Sequence, residues 1–344
     1  MYISMRIFSL SLVVAVCFHF QAFAQDNPTL QLTKVQDSIY MIQGRGGNIA
    51  FQAGSEGTLM VDSQFANATP QILNKILSVT TQPLRYLVNT HHHGDHTGGN
   101  DNLKGQGAIV IAHDNVRKLL YGEATKLMDK ASEEAYNNAM KRLGNETNPE
   151  NQKLAKQEAE IAAQNIEEEA MKSVKNLPAI TFSRDMTFYH NGEKIMAFHV
   201  DNAHTQGDII LYFTKANVMH TGDAFINSGY PFIDTNNGGS VDGYIKGLSR
   251  IFYVANDDTK IIPGHGELAD KDDVQYLHGM LEFLRDRVAY HVVAGKTDAE
   301  ILQIKEMTAE YDAKGFGDGF ISTEKILQVL IADARKKYPT AGKK

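Results

Sequence analysis

Six consecutive residues, His91-His92-His93-Gly94-Asp95-His96, concentrate metal-binding chemistry in one short segment. Three of the four imidazoles and the carboxylate are candidate ligands. The segment follows the apolar run Arg85-Tyr86-Leu87-Val88-Asn89, which reads as a buried strand, and precedes Thr97-Gly98-Gly99-Asn100, where a helix could begin. A cluster at a strand end stands on rigid backbone, which fixes ligand geometry better than a mobile loop would. With alternate residues pointing the same way, His91, His93 and Asp95 share a side, His96 closes the group from the turn, and His92 points elsewhere. Imidazole nitrogen and carboxylate oxygen both bind zinc at about 2.0 to 2.2 Å, and a catalytic zinc keeps three protein ligands and one open position. Six residues supply more donors than one such ion needs, so a pair of metals is expected.

The further donors that a pair requires lie in Ala203-His204-Thr205-Gln206-Gly207-Asp208, in His220-Thr221-Gly222-Asp223 and in Pro263-Gly264-His265-Gly266. Each follows a strand-like apolar run (195–200, 209–219 and 260–263), and each carries glycine, which lets backbone and ligand approach closely.

In this order and over this span, His-X-His-X-Asp-His, Ala-His-Thr-X-Gly-Asp, Thr-Gly-Asp and Gly-His-Gly resemble the metallo-β-lactamase superfamily, from about Thr33 to Leu284. The resemblance implies two zinc ions per chain, one held by His91, His93 and His204, the other by Asp95, His96 and His265, with Asp223 between them. It also implies an α/β fold, the four-layer αβ/βα sandwich with the metals at the open edge between two mixed sheets. The activity implied is metal-dependent hydrolysis of a small molecule. A water bridging two zinc ions loses its proton near neutral pH, since zinc can lower its pKa from 15.7 to about 7. Asp95 is the expected catalytic residue, orienting that hydroxide towards the carbonyl of an ester, thioester, lactone or cyclic amide.

Position 223 separates branches of the family. In the resemblance, true metallo-β-lactamases carry cysteine or serine there, whereas glyoxalase II, lactonases and other hydrolases carry aspartate, as this chain does. Ala224-Phe225-Ile226-Asn227 follows, so the lysine that often holds a β-lactam carboxylate is missing from its usual place. Three alternatives stand beside the general hydrolase: a β-lactamase proper, a mononuclear iron persulfide dioxygenase, and a non-catalytic zinc-binding protein. A complete seven-ligand set favours hydrolysis over the last two.

Residues 1–24 carry Arg6, an apolar stretch from Ile7 to Phe20, and Ala22-Phe23-Ala24 before Gln25, the pattern of a secretory signal cut after Ala24. The stretch is short for a membrane span, so a periplasmic or secreted protein without a stable membrane anchor is expected. The only cysteine, Cys17, lies inside this segment, and a cleaved chain of residues 25–344 can form no disulfide. That length suffices for one large domain. The net charge of -7 argues against a phosphate-backbone footprint, so no nucleic-acid partner is expected. Oligomeric state is not encoded in any pattern that stands out.

The elements that must position the ligands follow from periodicity. Thr33 to Asp62 reads as strands, with turns at Gly44-Arg45-Gly46-Gly47 and Gly54-Ser55-Glu56-Gly57; Asn67 to Val79 reads as a helix and Ala108 to Ala112 as a strand. Residues 114–176 read as an inserted helical hairpin, broken between Gly144 and Pro149. Helices are expected at Val241 to Val254, capped by Ser240, and at Asp270 to Val293. Residues 294–344 read as a C-terminal helical extension packed on the fold, with helices at Asp298 to Met307 and Ser322 to Tyr338, serving as scaffold. Between the motifs, Tyr230 and Phe232 are candidates for the substrate wall. His220, three residues before Asp223, is a candidate partner that orients a ligand. His113, His190, His199, His278 and His291 lack ligand spacing and read as structural.

Overall fold

The computed structural model describes residues 30–145, 148–154, 156–157, 161 and 177–339. The signal-like segment 1–24, with Cys17, and most of the second arm of the hairpin lie outside the described residues.

Two sheets form the middle of the molecule. The first runs β1 (Gln31–Gln36), β2 (Ile39–Gln43), β3 (Ile49–Gln52), β4 (Thr58–Val61), β5 (Leu84–Val88), β6 (Ile109–His113) and β7 (Ile180–Phe182) in that spatial order. Its first four strands pair antiparallel and the rest parallel. The second holds β8 (Asp185–His190), β9 (Glu193–His199), β10 (Ile209–Phe213), β11 (Val218–His220) and β12 (Lys260–Ile262), antiparallel except for the β11 to β12 pair. The apolar run from Ile209 to Met219, read as one strand, is a hairpin of two, turned at Thr214 to Asn217 with Asn217 at positive φ.

Alternate side chains of these strands go to opposite faces, and both faces are covered, which is why the sequence reads as continuous apolar runs. Met41, Ala50, Leu59, Val61, Val88 and Ile111 face Ile195, Ala197, Ile209, Leu211 and Phe213 across the gap between the sheets. Their neighbours Ile42, Phe51, Met60, Leu87 and Val110 point outward, onto Ile72 and Ile76 of the Thr69–Leu77 helix and Leu103 of the Asn100–Gly105 helix. On the other side Phe198, Ile210, Met219 and Ile261 pack under helices Val241–Val254 and Lys271–Val293. The layers are therefore helix, sheet, sheet, helix.

Both large helices of that outer layer are capped: Ser240 accepts from Gly243 N as expected, and Asp270, read as the first helical residue, is instead the N-cap and forms a capping box with Asp273. The tail is packed into the same layer through Ile326, Leu327, Leu330 and Ile331 of helix Thr323–Lys337. The expected Asp298 to Met307 helix stops at Leu302 and continues as a short 3-10 turn, Lys305–Met307. Between β6 and β7 a single helix runs Asp114–Asn145, and 149–154 are helical again, beginning at Pro149, whose fixed φ suits a first helical position. Val116 and Asn115 anchor this helix to the loop after His204: Val116 is buried against Gly207, and Asn115 Nδ2 donates to Gln206 O. No helix among the described residues is long and apolar enough to cross a membrane.

Candidate metal centre

The expected ligands arrive from four loops at one edge of the two sheets. His91 and His93 follow β5 on either side of His92, in a segment that bends at residues 90–92 and is extended again at His93. Asp95 and His96 do not continue the expected alternation: Gly94–Thr97 is a helical turn that swings both side chains round to a second position beside the first. His204 comes from the β9 to β10 loop, Asp223 from the turn after β11 and His265 from the loop after β12.

Donor atoms of His91, His93, His204 and Asp223 lie within 4.8 Å of one another, and so do those of Asp95, His96 and His265. Asp223 faces both groups with one oxygen each. Its Oδ2 is 3.6 Å from His204 Nε2 and 4.0 Å from His91 Nε2, while Oδ1 is 3.2 Å from His96 Nε2 and 3.5 Å from His265 Nε2. Asp95 Oδ2 is 3.2 Å from His265 Nε2 and 3.7 Å from His96 Nε2. Two donors on one tetrahedral zinc sit about 3.4 Å apart, given bonds of about 2.0 to 2.2 Å.

The outer hydrogen bonds fix which ring nitrogen is free. His204 Nδ1 donates to Phe232 O (2.7 Å), His93 Nε2 to Asp234 Oδ2 (3.0 Å) and His96 Nδ1 to Asp62 Oδ2 (2.7 Å), all acceptors without a hydrogen to return. Thr90 gives its hydroxyl hydrogen to Asp62 Oδ2 and accepts from His91 Nδ1. His91 Nε2, His93 Nδ1 and His204 Nε2 therefore turn bare lone pairs inward. His93 Nδ1 and His204 Nε2 face each other at 2.9 Å with no hydrogen between them, an arrangement that calls for a cation. His91 Nε2 and Asp223 Oδ1 are buried and take no hydrogen bond among the described residues. The residues present fit a bound metal.

Electrostatics separate the two groups. Burial pulls His91 well below the usual imidazole range and His204 down to about 4, so both are neutral ligands at pH 7. Burial works the same way on His96 and His265, but the Asp223 carboxylate, with Asp62 beside His96 and Asp95 beside His265, outweighs it. His96 is raised well above its ordinary value and His265 to about 9. Burial would raise Asp223 and Asp95, yet the adjacent histidines hold both below the usual carboxylate range.

Two carboxylates stand behind the ligands that sequence reading did not single out. Asp62, at the end of β4 with φ of 61°, accepts from Thr90 N and Oγ1 at 2.7 Å each, besides orienting His96. The sequence shows only an acid closing the apolar run Thr58 to Val61, with nothing to mark it as buried. Asp234 brings its oxygen within reach of His92 and His93 as a further three-residue group, but it already accepts from Asn236 N, Asn237 N, Asn237 Nδ2 and His93. It is saturated as a positioning carboxylate. His92 stays outside both ligand groups but packs beside His93, ring centroids 4.5 Å apart, with Nε2 3.4 Å from Glu123 on the inserted helix.

Among the described residues His220 has no hydrogen bond or ion pair with any of the seven donors. Its Nε2 donates to Asn48 O (2.9 Å) and its Nδ1 accepts from Gly222 N (3.2 Å), so it braces the turn that carries Asp223. His113 and His190 are buried and bonded to Ser183 O and Gly57 O, structural as read.

Above the ligands opens a cleft of about 620 Å³ whose lining includes both wall candidates. Phe232 is 36% exposed and stacks on His93, with ring centroids 5.8 Å apart. Tyr230 is only 2% exposed; its hydroxyl donates to Asp312 Oδ1 (3.0 Å), so it belongs chiefly to the core and ties the loop to the tail. Reading the tail as pure scaffold needs correction: Gly319, Phe320 and Ile321 line the cleft, with Phe320 edge-on to Phe232. Phe65 and Arg45 complete its rim.

A four-layer sandwich with histidine and aspartate clusters at its open edge defines a metal-dependent hydrolase. The chain belongs to the metallo-beta-lactamase superfamily, whose family model matches residues 42–265. Among solved structures it is similar to a metallo-beta-lactamase from Pontibacter korlensis, at 15% identity and a TM-score of 0.52, covering 74% of this chain and 99% of that one. It is likewise similar to the DIM-1 metallo-beta-lactamase, at 16% identity and a TM-score of 0.51, covering 74% and 97%. At these identities the likeness is one of fold.

Proposed function

We propose that the protein is an exported dinuclear zinc hydrolase that opens an ester, thioester, lactone or cyclic amide bond in a small molecule. The observation that carries the reading is Asp223, whose two oxygens serve two separate groups of donors. His91, His93, His204 and Asp223 would hold one ion, and Asp95, His96, His265 and Asp223 the other. Bound there, zinc acidifies a water and polarises the carbonyl beside it.

The chain's own residues do the rest. Asp62 and Asp234 keep His96 and His93 in the tautomers that present a lone pair inward, which raises ligand basicity. Asp95, ionised and turned to the cleft, is the carboxylate placed to accept a hydrogen from a water there and so aim its oxygen. Phe232 and Phe320 keep bulk water from one side of the cleft. The Ala22-Phe23-Ala24 cleavage pattern supports a periplasmic or secreted setting.

Metal analysis of protein purified without added metal, beside turnover of a chromogenic cephalosporin, a thioester and a lactone, tests the reading. About two zinc ions per chain with hydrolysis of one substrate is the expected result, and His93→Ala or Asp223→Ala should lower zinc content and turnover together. One iron per chain without hydrolysis, or normal turnover after complete metal loss, would overturn it.

A further inference from the structure

Of the described residues lining the cleft, Arg45 is the sole lysine or arginine. It has no hydrogen bond or ion pair among the described residues, although Asp95 and Asp223 share its cleft. The turn that carries it is held from both sides. Gly47 N donates to Asp95 O (3.1 Å), Asn48 N donates to Gly264 O (2.7 Å), and Asn48 Nδ2 donates to Pro263 O and Gly266 O. Gln43 Nε2 adds a bond to Gly266 O (3.0 Å). A Cβ at Gly47 would overlap the His96 ring, so the backbone beside Arg45 lies directly against the second ligand group. The cleft is thus polarised: the braced turn that carries the exposed, unpaired Arg45 lies against Asp95 and His96, while Phe232, stacked on His93 and flanked by Phe320, gives an apolar wall by the first group.

We propose that Arg45 is the residue that selects the substrate, by binding a carboxylate on the leaving-group half while Phe232 and Phe320 take an apolar acyl half. The substrate class is an acylated small acid. Hydrolysis adds water to the acyl carbonyl, breaks its bond to sulfur, oxygen or nitrogen, leaves the acyl half as a carboxylate with release of a proton, and frees the anionic half with a hydrogen on its heteroatom. Arginine suits the task because its planar fork binds a carboxylate through two parallel hydrogen bonds.

This assignment rests on the hydrolase reading, and two measurements keep their failures apart. The first compares kcat/KM for the phenylacetyl thioester of 3-mercaptopropionate and for its neutral methyl ester, in the zinc-loaded wild type, R45A and R45K. The wild type should prefer the anion by about tenfold or more, the size of a charge-assisted pair. R45A should lose that preference, chiefly through KM, and R45K should keep part of it, with zinc content matching the wild type. The second measures calorimetric binding of 3-phenylpropionate against 3-phenylpropionamide to the same three proteins, which needs no turnover. Preference for the acid that falls in R45A upholds the anchor even if neither thioester is hydrolysed, an outcome that would instead count against the hydrolase reading. An acid preference equal in wild type and R45A, in either measurement, overturns the anchor and leaves the hydrolase reading standing.

Discussion

The five histidines among the seven donor residues are alike on paper and unlike in place. His91 and His204 are held neutral by burial, each keeping only its outward N–H, whereas His96 and His265 are kept in the imidazolium form by the carboxylates around them, His265 to about pH 9. A metal must displace those protons, because only the bare nitrogen is a ligand. Raising the pH from 7 to 9 therefore favours loading of the second group, by about tenfold per unit for each proton released. Affinity of the first group, whose His91 and His204 have no inward proton to lose, should change far less. Competition against a chromophoric chelator at several pH values reads both; equal slopes for the two sites would refute the difference. That these seven side chains would converge was legible in the sequence, because residue type and spacing are local properties of each motif. Asp62, Asp234 and Arg45 were not. Each owes its role to residues that only the folded chain brings near: Asp62 to His96, Asp234 to His93, Arg45 to the rim above Asp95.

At the scale of elements, apolar runs located β5, β6, β9, β10 and β12, since burial on both faces leaves no polar interruption, whereas β7 and β8, largely exposed, carry no such run and were not legible. What else was missed was local. The Gly94–Thr97 turn replaces an extended segment, because two ligand groups must be served from six residues, and strand alternation would send Asp95 to the same group as His91 and His93. The tail's part in the cleft was invisible for a different reason: nothing in Gly317-Asp318-Gly319-Phe320 reports where that turn will land. Its landing is set by Tyr230 and Thr323, which both donate to Asp312 Oδ1, and by Tyr230 N donating to Phe316 O. Tyr230→Phe deletes one of these bonds and should cost about 1 kcal/mol. Its expected signature is a raised KM with little change in metal content, since no ligand is touched; a variant that instead loses zinc would show that the loop supports the metal site directly.

Across the whole molecule, stability and metal binding are one equilibrium. Each ligand loop closes a different strand end, β5, β9, β11 or β12, so a metal that binds only the folded arrangement ties both sheets together. Removing it with a chelator should lower the unfolding midpoint by on the order of 10 °C, the effect of free metal at about a thousand times its dissociation constant. A scan with and without chelator checks this, and identical midpoints would mean that the sandwich holds its edge without ions.

The ligands end at His265 while Phe320 lies well beyond it, outside the 224-residue span that the superfamily shares, and at 78% exposure it holds up little beneath it. A position of this kind is free to vary. Exchanging Phe320 would reshape what the cleft admits at almost no cost in folding, whereas exchanging a ligand forfeits the reaction. The range of molecules the cleft admits can therefore change through one exposed turn while every residue of the metal centre stays as it is.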